Sequence, residues 1–199
     1  SYQFIKALLN NEEGLHIDKD HFMTISPDEG SMSRAIYLAN VLGVDMGMYY
    51  KRLDYSRYVN GRHPIAAYEF LGPKLEGKDM ILIDDMISSG DTIIKIASLL
   101  KEKGAGKVYI CSTFGFFTDG LEKFDEAHKK GYFDKLLTTN LVYQSPELLE
   151  KPYYISCDMS KYIALIIDTL NHDTSVSHLL NPVDRIKRCV NNYMSQYEK

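Results

Sequence analysis

Short apolar runs at residues 22–26, 46–50, 80–83, 108–112, 135–139 and 153–156 alternate with longer amphipathic stretches, and this alternation constrains the fold more than any other feature. Runs of this length, bounded by turn residues, are strand-like, and most are too apolar for a strand that faces water on one side. The stretches between carry apolar residues at helical spacing: Ile36, Ala39 and Val41 in 32–42, Ile93, Ile96, Leu99 and Leu100 in 92–103, and a third pattern at 121–130. Strands separated by helices pair in parallel through crossovers, and the helices then cover both faces of the sheet. The expected fold class is α/β, with a doubly wound, mainly parallel sheet.

Residues 51–72 break the pattern. Polar and aromatic residues crowd Lys51-Arg52-Leu53-Asp54-Tyr55-Ser56-Arg57-Tyr58 and Gly61-Arg62-His63-Pro64 ahead of a β-prone run at 65–71, which predicts a mobile loop followed by an appended strand. Beyond Met159 the chain turns helical through 162–170 and 176–180, and a further helix starts at Pro182, near a first turn where proline costs nothing. This predicts one domain over 1–180 and a helical carboxyl-terminal extension over 181–199.

With 199 residues and 45% hydrophobic content the chain can bury one full core. It contains no long uncharged apolar stretch and no leader-like opening, so the expectation is a soluble cytoplasmic protein without a membrane partner. It opens at Ser1 directly into the helix-like Tyr2-Gln3-Phe4-Ile5, as a piece of a longer protein would. Cys111, Cys157 and Cys189 are odd in number and lack metal-ligand spacing, so they are expected as reduced thiols, Cys111 in the core. None of the six histidines has such spacing; His172 and His178 are expected at the surface or in packing, and His63 is a loop candidate. A net charge of −4 disfavours nucleic acid, so any anionic ligand needs a local site.

The segment that supplies one is Ile81-Leu82-Ile83-Asp84-Asp85-Met86-Ile87-Ser88-Ser89-Gly90-Asp91-Thr92. A buried strand ends in two carboxylates, then a small polar turn runs into a helix. Ligands of open α/β sheets bind at the carboxyl ends of strands, and a helix amino terminus offers unpaired N–H groups to a phosphate. Ser88, Ser89, Gly90, Asp91 and Thr92 would wrap that phosphate: Gly90 permits close approach or positive φ, and the hydroxyls add donors without bulk. Asp84 and Asp85 suit the vicinal hydroxyls of a ribose or a hydrated magnesium ion. The plainer reading is a strand end and a helix start with Asp91 as a first-turn dipole partner.

These residues resemble the phosphoribosyl diphosphate motif of the type I phosphoribosyltransferase fold. Further segments resemble the ribose-phosphate diphosphokinase family within it. Ser26-Pro27-Asp28-Glu29-Gly30-Ser31-Met32-Ser33-Arg34-Ala35 resembles that family's S-P-D-x-G-G-x-x-R-A loop, with Ser31 in place of a second glycine. The resemblance implies that Asp28, Glu29, Gly30 and Ser31 form the diphosphate loop, with Asp28 a magnesium ligand. Lys51 and Arg52 stand where the family's K-x-R catalytic loop begins, but the third position is Leu53, so Arg52 or Arg57 would have to replace the missing arginine. Lys103-Gly104-Ala105-Gly106-Lys107-Val108 and Asp173-Thr174-Ser175-Val176-Ser177-His178-Leu179-Leu180 resemble the family's K-x-x-G-A-x-x-V joint and its carboxyl-terminal ending.

The resemblance implies the carboxyl half of an enzyme that transfers the diphosphoryl group of ATP to the C1 hydroxyl of ribose 5-phosphate, giving phosphoribosyl diphosphate and AMP. It implies a Mg2+ cofactor and a homo-oligomer of dimers packed into larger rings such as hexamers, with this half alone inactive or weak. Two alternatives remain open at the level of sequence. One is a nucleobase phosphoribosyltransferase, which shares the 81–92 signature. The other is a non-catalytic synthetase-like regulatory subunit, hinted at by Leu53 and Ser31.

Overall fold

The structure, a computed structural model, describes residues 1–58, 61 and 63–197. Seven strands form one sheet in the order β3-β2-β1-β4-β5-β6-β7. They are β1 (Phe22–Ser26), β2 (Asp45–Leu53), β3 (Ile65–Leu71), β4 (Asp79–Ile87), β5 (Val108–Gly115), β6 (Lys135–Thr139) and β7 (Tyr154–Cys157). Every pairing is parallel except β2 with β3, a hairpin at the sheet edge. The expected α/β architecture is the one observed, and the apolar runs are its central strands: all five residues of β1 and four consecutive residues of β4 are buried. Burial on both faces is what a parallel sheet between helices demands.

One face carries α1 (Tyr2–Asn11), α2 (Met32–Leu42) and α8 (Val183–Met194). Their Ile5, Leu8, Leu38, Ile186 and Val190 pack with Ile81, Ile83, Tyr109 and Cys111 of the sheet. The other face carries α3 (Asp91–Glu102) and α4 (Glu122–Lys129), whose Ile93, Ile96, Leu100 and Phe124 meet Met80, Leu82 and Ile110. The remaining helices are α5 (Pro146–Leu149), α6 (Ser160–Asn171) and α7 (Ser177–Leu180). Sequence periodicity does not reveal α5, a single turn capped by the Ser145 hydroxyl, because it is too short to repeat. Helix α8 packs back onto α1 and the chain that follows it: the Tyr193 hydroxyl donates to the Glu12 carbonyl at 2.8 Å and accepts from the Leu15 amide at 3.0 Å.

The chain leaves β1 outward to β2 and β3, then returns to β4 on the other side of β1. The connections from the carboxyl ends of β1 and β4 therefore diverge and leave a crevice between them, the place where ligands enter open α/β sheets. Among the described residues no helix is long and apolar enough to cross a membrane. All three cysteines are free, with Cys111 and Cys157 buried.

Lys51 and Arg52, expected at the opening of a mobile loop, lie instead within β2. There Lys51 is opposite Tyr68 and Arg52 opposite Ala67, because β3 folds back antiparallel and takes up their backbone hydrogen bonds. The connecting loop is shorter than expected, closed by the Asp54 amide donating to the Pro64 carbonyl. Arg62, one of the loop arginines, lies outside the described residues.

Candidate active site

The crevice holds a cavity of about 370 Å³, lined by Asp28, Gly30 and Ser31 on one side and by residues 84–93 on the other. Two segments distant in sequence meet here because β1 and β4 are neighbours in register, Ile25 opposite Leu82. The first segment follows β1. Asp28 caps a single 3-10 turn, its Oδ1 accepting from the Gly30 amide at 3.0 Å, and Ser31 leads into α2.

The second segment is the end of β4, which runs past the two carboxylates to Ile87 rather than stopping at Ile83. Asp84 Oδ1 accepts from the Ser31 hydroxyl at 2.5 Å and from the Asp85 amide at 2.9 Å. Asp85 Oδ2 faces the Arg34 guanidinium at 3.3 Å. Burial pushes the Asp84 carboxyl above the usual carboxylate range; the Ser31 and Asp85 hydrogen bonds oppose this, while the nearby charges of Asp28 and Asp85 add to it.

After Ile87 the chain turns through Ser88, Ser89 and Gly90 into α3. Gly90 has φ +86°, and a Cβ there would lie 2.2 Å from the Phe124 ring, so the turn requires glycine on both counts. Gly90 gives α3 no side-chain cap, and Asp91 stands in the first turn. The Asp91 amide donates to the Ser89 hydroxyl oxygen at 3.4 Å, and the cavity-lining start of α3 presents first-turn amides without intrahelical partners and the positive dipole end that suit a phosphate. Asp91 Oδ2 accepts from the Ser89 hydroxyl at 2.8 Å, and Oδ1 from Lys123 Nζ at 2.7 Å. These bonds, the Lys123 one foremost, hold the Asp91 carboxyl below its ordinary pKa.

Lys51 reaches the site from β2, its Nζ 3.1 Å from Asp28 Oδ2. Arg52, the next residue, is paired with Glu69 on β3 at 2.8 Å. The residue two beyond Lys51 is Leu53, and the pairing of β2 with β3 shifts register between Arg52 and Leu53. The structure thus brings together Asp28, Gly30, Ser31, Lys51, Asp84, Asp85 and residues 88–92, and it does not bring Arg52. Glu29 is exposed in the 3-10 turn and does not line the cavity.

No cluster of three His, Cys, Asp or Glu side chains among the described residues could hold a metal ion by itself. The donor set suits magnesium in another way. That ion keeps several waters and takes one or two carboxylates together with phosphate oxygens of a ligand, and Asp28 with Asp84 across the cavity offers hard oxygen donors of this kind.

Sequence reasoning missed three residues that hold the lining of the site. Arg34, inside a quoted motif, is the partner of Asp85; Thr118, from the connection after β5, and Lys123, from α4, face Ser88 and Asp91. Nothing local marks the last two, since only the fold brings α4 beside the start of α3.

A doubly wound sheet with a crevice of this construction at its switch point is an α/β domain of the type I phosphoribosyltransferase kind. Over residues 67–181, more than half of its length, the chain matches the phosphoribosyl synthetase-associated domain family, and it belongs to that family. It is 32% identical over 121 residues to a ribose-phosphate pyrophosphokinase of Thermococcus kodakarensis, covering 60% of this chain and 39% of that protein. With the ribose-phosphate pyrophosphokinase of Shewanella oneidensis it shares 29% identity over 163 residues, covering 81% of this chain and 49% of that protein. The chain therefore spans about half the length, or less, of these curated relatives. The crystal structure of phosphoribosylpyrophosphate synthetase from Mycobacterium smegmatis superimposes with a TM-score of 0.63 at 24% identity, over 76% of this chain and 45% of that one, which establishes the shared fold.

Proposed function

We propose that this chain is the sugar-phosphate-binding domain of a ribose-phosphate diphosphokinase, occupying residues 1–180 with a helical extension at 181–199. The complete protein joins ribose 5-phosphate and ATP to give phosphoribosyl diphosphate and AMP. The observation that carries this reading is the convergence of the 28–31 turn and the 84–92 segment on one cavity. Phosphate donors stand there beside diol acceptors, and the family match and the names of the curated relatives point the same way.

In this reading the 5-phosphate lies against residues 88–92, and Asp84 and Asp85 accept hydrogen bonds from the ribose hydroxyls. This leaves C1 directed toward Asp28, Gly30 and Ser31. The C1 hydroxyl oxygen bonds to the β-phosphorus of ATP, the bond from that phosphorus to the α,β-bridging oxygen breaks, AMP leaves, and the hydroxyl proton passes to solvent. No bond to a sugar carbon is made or broken. Lys51 supplies positive charge to the transferring group, where preorganised cations act most strongly. It must exchange Asp28 for a phosphate to do so, and an exposed hairpin can move far enough. Magnesium, held by Asp28 and phosphate oxygens, would neutralise the transferred charge. The remainder of the ATP site belongs to protein beyond this chain, and the complete enzyme is a homo-oligomer acting in the cytoplasm.

The test pairs two measurements. This chain alone is expected to bind ribose 5-phosphate by calorimetry with poor turnover, and the complete protein is expected to release AMP and phosphoribosyl diphosphate from ATP and ribose 5-phosphate. Nucleotide formation from free bases and phosphoribosyl diphosphate would replace this reading with that of a nucleobase phosphoribosyltransferase. Ligand binding by the complete protein with no product would make it a regulatory subunit.

A further inference from the structure

The 88–92 turn is held from below by the connection between β5 and α4. The Phe116 amide donates to the Ile87 carbonyl at 2.9 Å and the Thr118 amide to the Ser88 carbonyl at 3.1 Å. Phe117 sits at φ +48°, a strained region for a bulky side chain, and its ring stands edge-on to Phe124 at 5.2 Å, directly under Gly90. Lys123, the residue before Phe124, is anchored twice, 2.7 Å from Asp91 and 3.1 Å from Asp119.

Asp91 poses an electrostatic problem. A carboxylate in the first turn of α3 favours the helix dipole, but it also stands in the turn that would receive a phosphate, where like charges repel. Without a counter-charge, Asp91, which lines the cavity, would repel the incoming anion.

We infer that Lys123 is a positioning residue for phosphate binding: its ammonium cancels the charge of Asp91 and ties the 88–92 turn to α4, so that an acidic turn accepts an anion. The inference rests on the reading of 88–92 as a phosphate site. Lys123 acts through Asp91 rather than by touching the sugar, and the two side chains set phosphate affinity as a pair.

The test is a double-mutant cycle on this chain, titrated separately with ribose 5-phosphate and with inorganic phosphate. Lys123→Met is expected to weaken both ligands about tenfold at low salt, with the loss shrinking toward 1 M salt as the uncovered Asp91 is screened. Asp91→Asn alone alters the phosphate turn itself and supplies the reference for the combined variant. Asp91→Asn combined with Lys123→Met should bind within about threefold of Asp91→Asn alone, since the charge to be cancelled is gone. Lys123→Arg keeps the charge and should rescue binding. A purely structural Lys123 would move thermal stability without this charge dependence. Lys123→Met binding within about twofold of the unaltered chain, or a double variant about tenfold weaker than Asp91→Asn alone, overturns the inference while leaving the phosphate site standing. An unaltered chain that binds neither ligand overturns both.

Discussion

Two of the segments that supply the candidate site's charged groups are built in opposite ways. The 81–92 segment begins in a central strand, four of whose consecutive residues are buried, and ends at α3, with helices packed on both sides. The β2–β3 hairpin, which carries Lys51, is the antiparallel edge: β3 has no buried residue, and the Lys51 ammonium pairs with Asp28 at 3.1 Å. Groups that must already be in position when a ligand arrives belong on the core, where packing fixes them. A cation that must leave one anion for another belongs on a ribbon with few contacts to break. Under the proposed function the contrast would divide the labour, the buried segment binding and the edge hairpin assisting transfer.

The most damaging change to the binding half is Gly90→Val, which places a branched side chain at positive φ and into the Phe124 ring. Ribose 5-phosphate binding should become undetectable by calorimetry, and thermal stability should fall by about 5 °C, as overpacking at a site of this kind implies. Next is Lys51→Ala in the complete enzyme, expected to lower kcat by about 10²-fold while leaving ribose 5-phosphate affinity intact. Equal losses in both would erase the division of labour.

Asp84→Asn has a smaller effect on binding, a loss of about tenfold from the weakened sugar contacts. It should also reveal the strain of the site through pH. Asp84 holds its proton more tightly in the folded chain than in the unfolded one, so the folded state loses stability as pH rises from the ordinary carboxylate value through the raised one. Above that window Asp84→Asn should therefore melt about 2–4 °C higher than the unaltered chain, and below it the two should converge. The smallest effect is Arg52→Ala. Paired with Glu69 on the outer face of the hairpin, Arg52 should change kcat by less than about threefold, and a loss as large as that of Lys51→Ala would show that the hairpin turns over during transfer.

Much of this was legible in the sequence. The strands at 22–26 and 135–139 and the helix at 32–42 fall where the apolar spacing predicts them, because buried parallel strands and amphipathic helices have unmistakable periods, and the edge strand at 65–71 falls where its β-prone residues predict it. Lys51 and Arg52 were misplaced into a loop because polar residues on an exposed edge strand carry no apolar alternation, and only pairing with β3 makes them a strand. The motif residues Asp28, Asp84 and Asp85 and the 88–92 turn were visible as residue types at fixed spacing. Lys123 and Thr118 were not, since their proximity to that turn comes from the crossover of α4 and not from any local pattern. The K-x-R pattern shows what structure adds to a departure seen in sequence: Lys51 pairs with Asp28 at the site, whereas Arg52 pairs with Glu69 on β3.

The central claim, that residues 88–92 hold the phosphate of a ribose 5-phosphate, is tested most directly by amide hydrogen exchange of this chain with and without that ligand. The account predicts slowed exchange concentrated at the amides of Ser88 to Thr92, reproduced in part by inorganic phosphate. No protection there at saturating ligand, or protection confined to other parts of the chain, would contradict it.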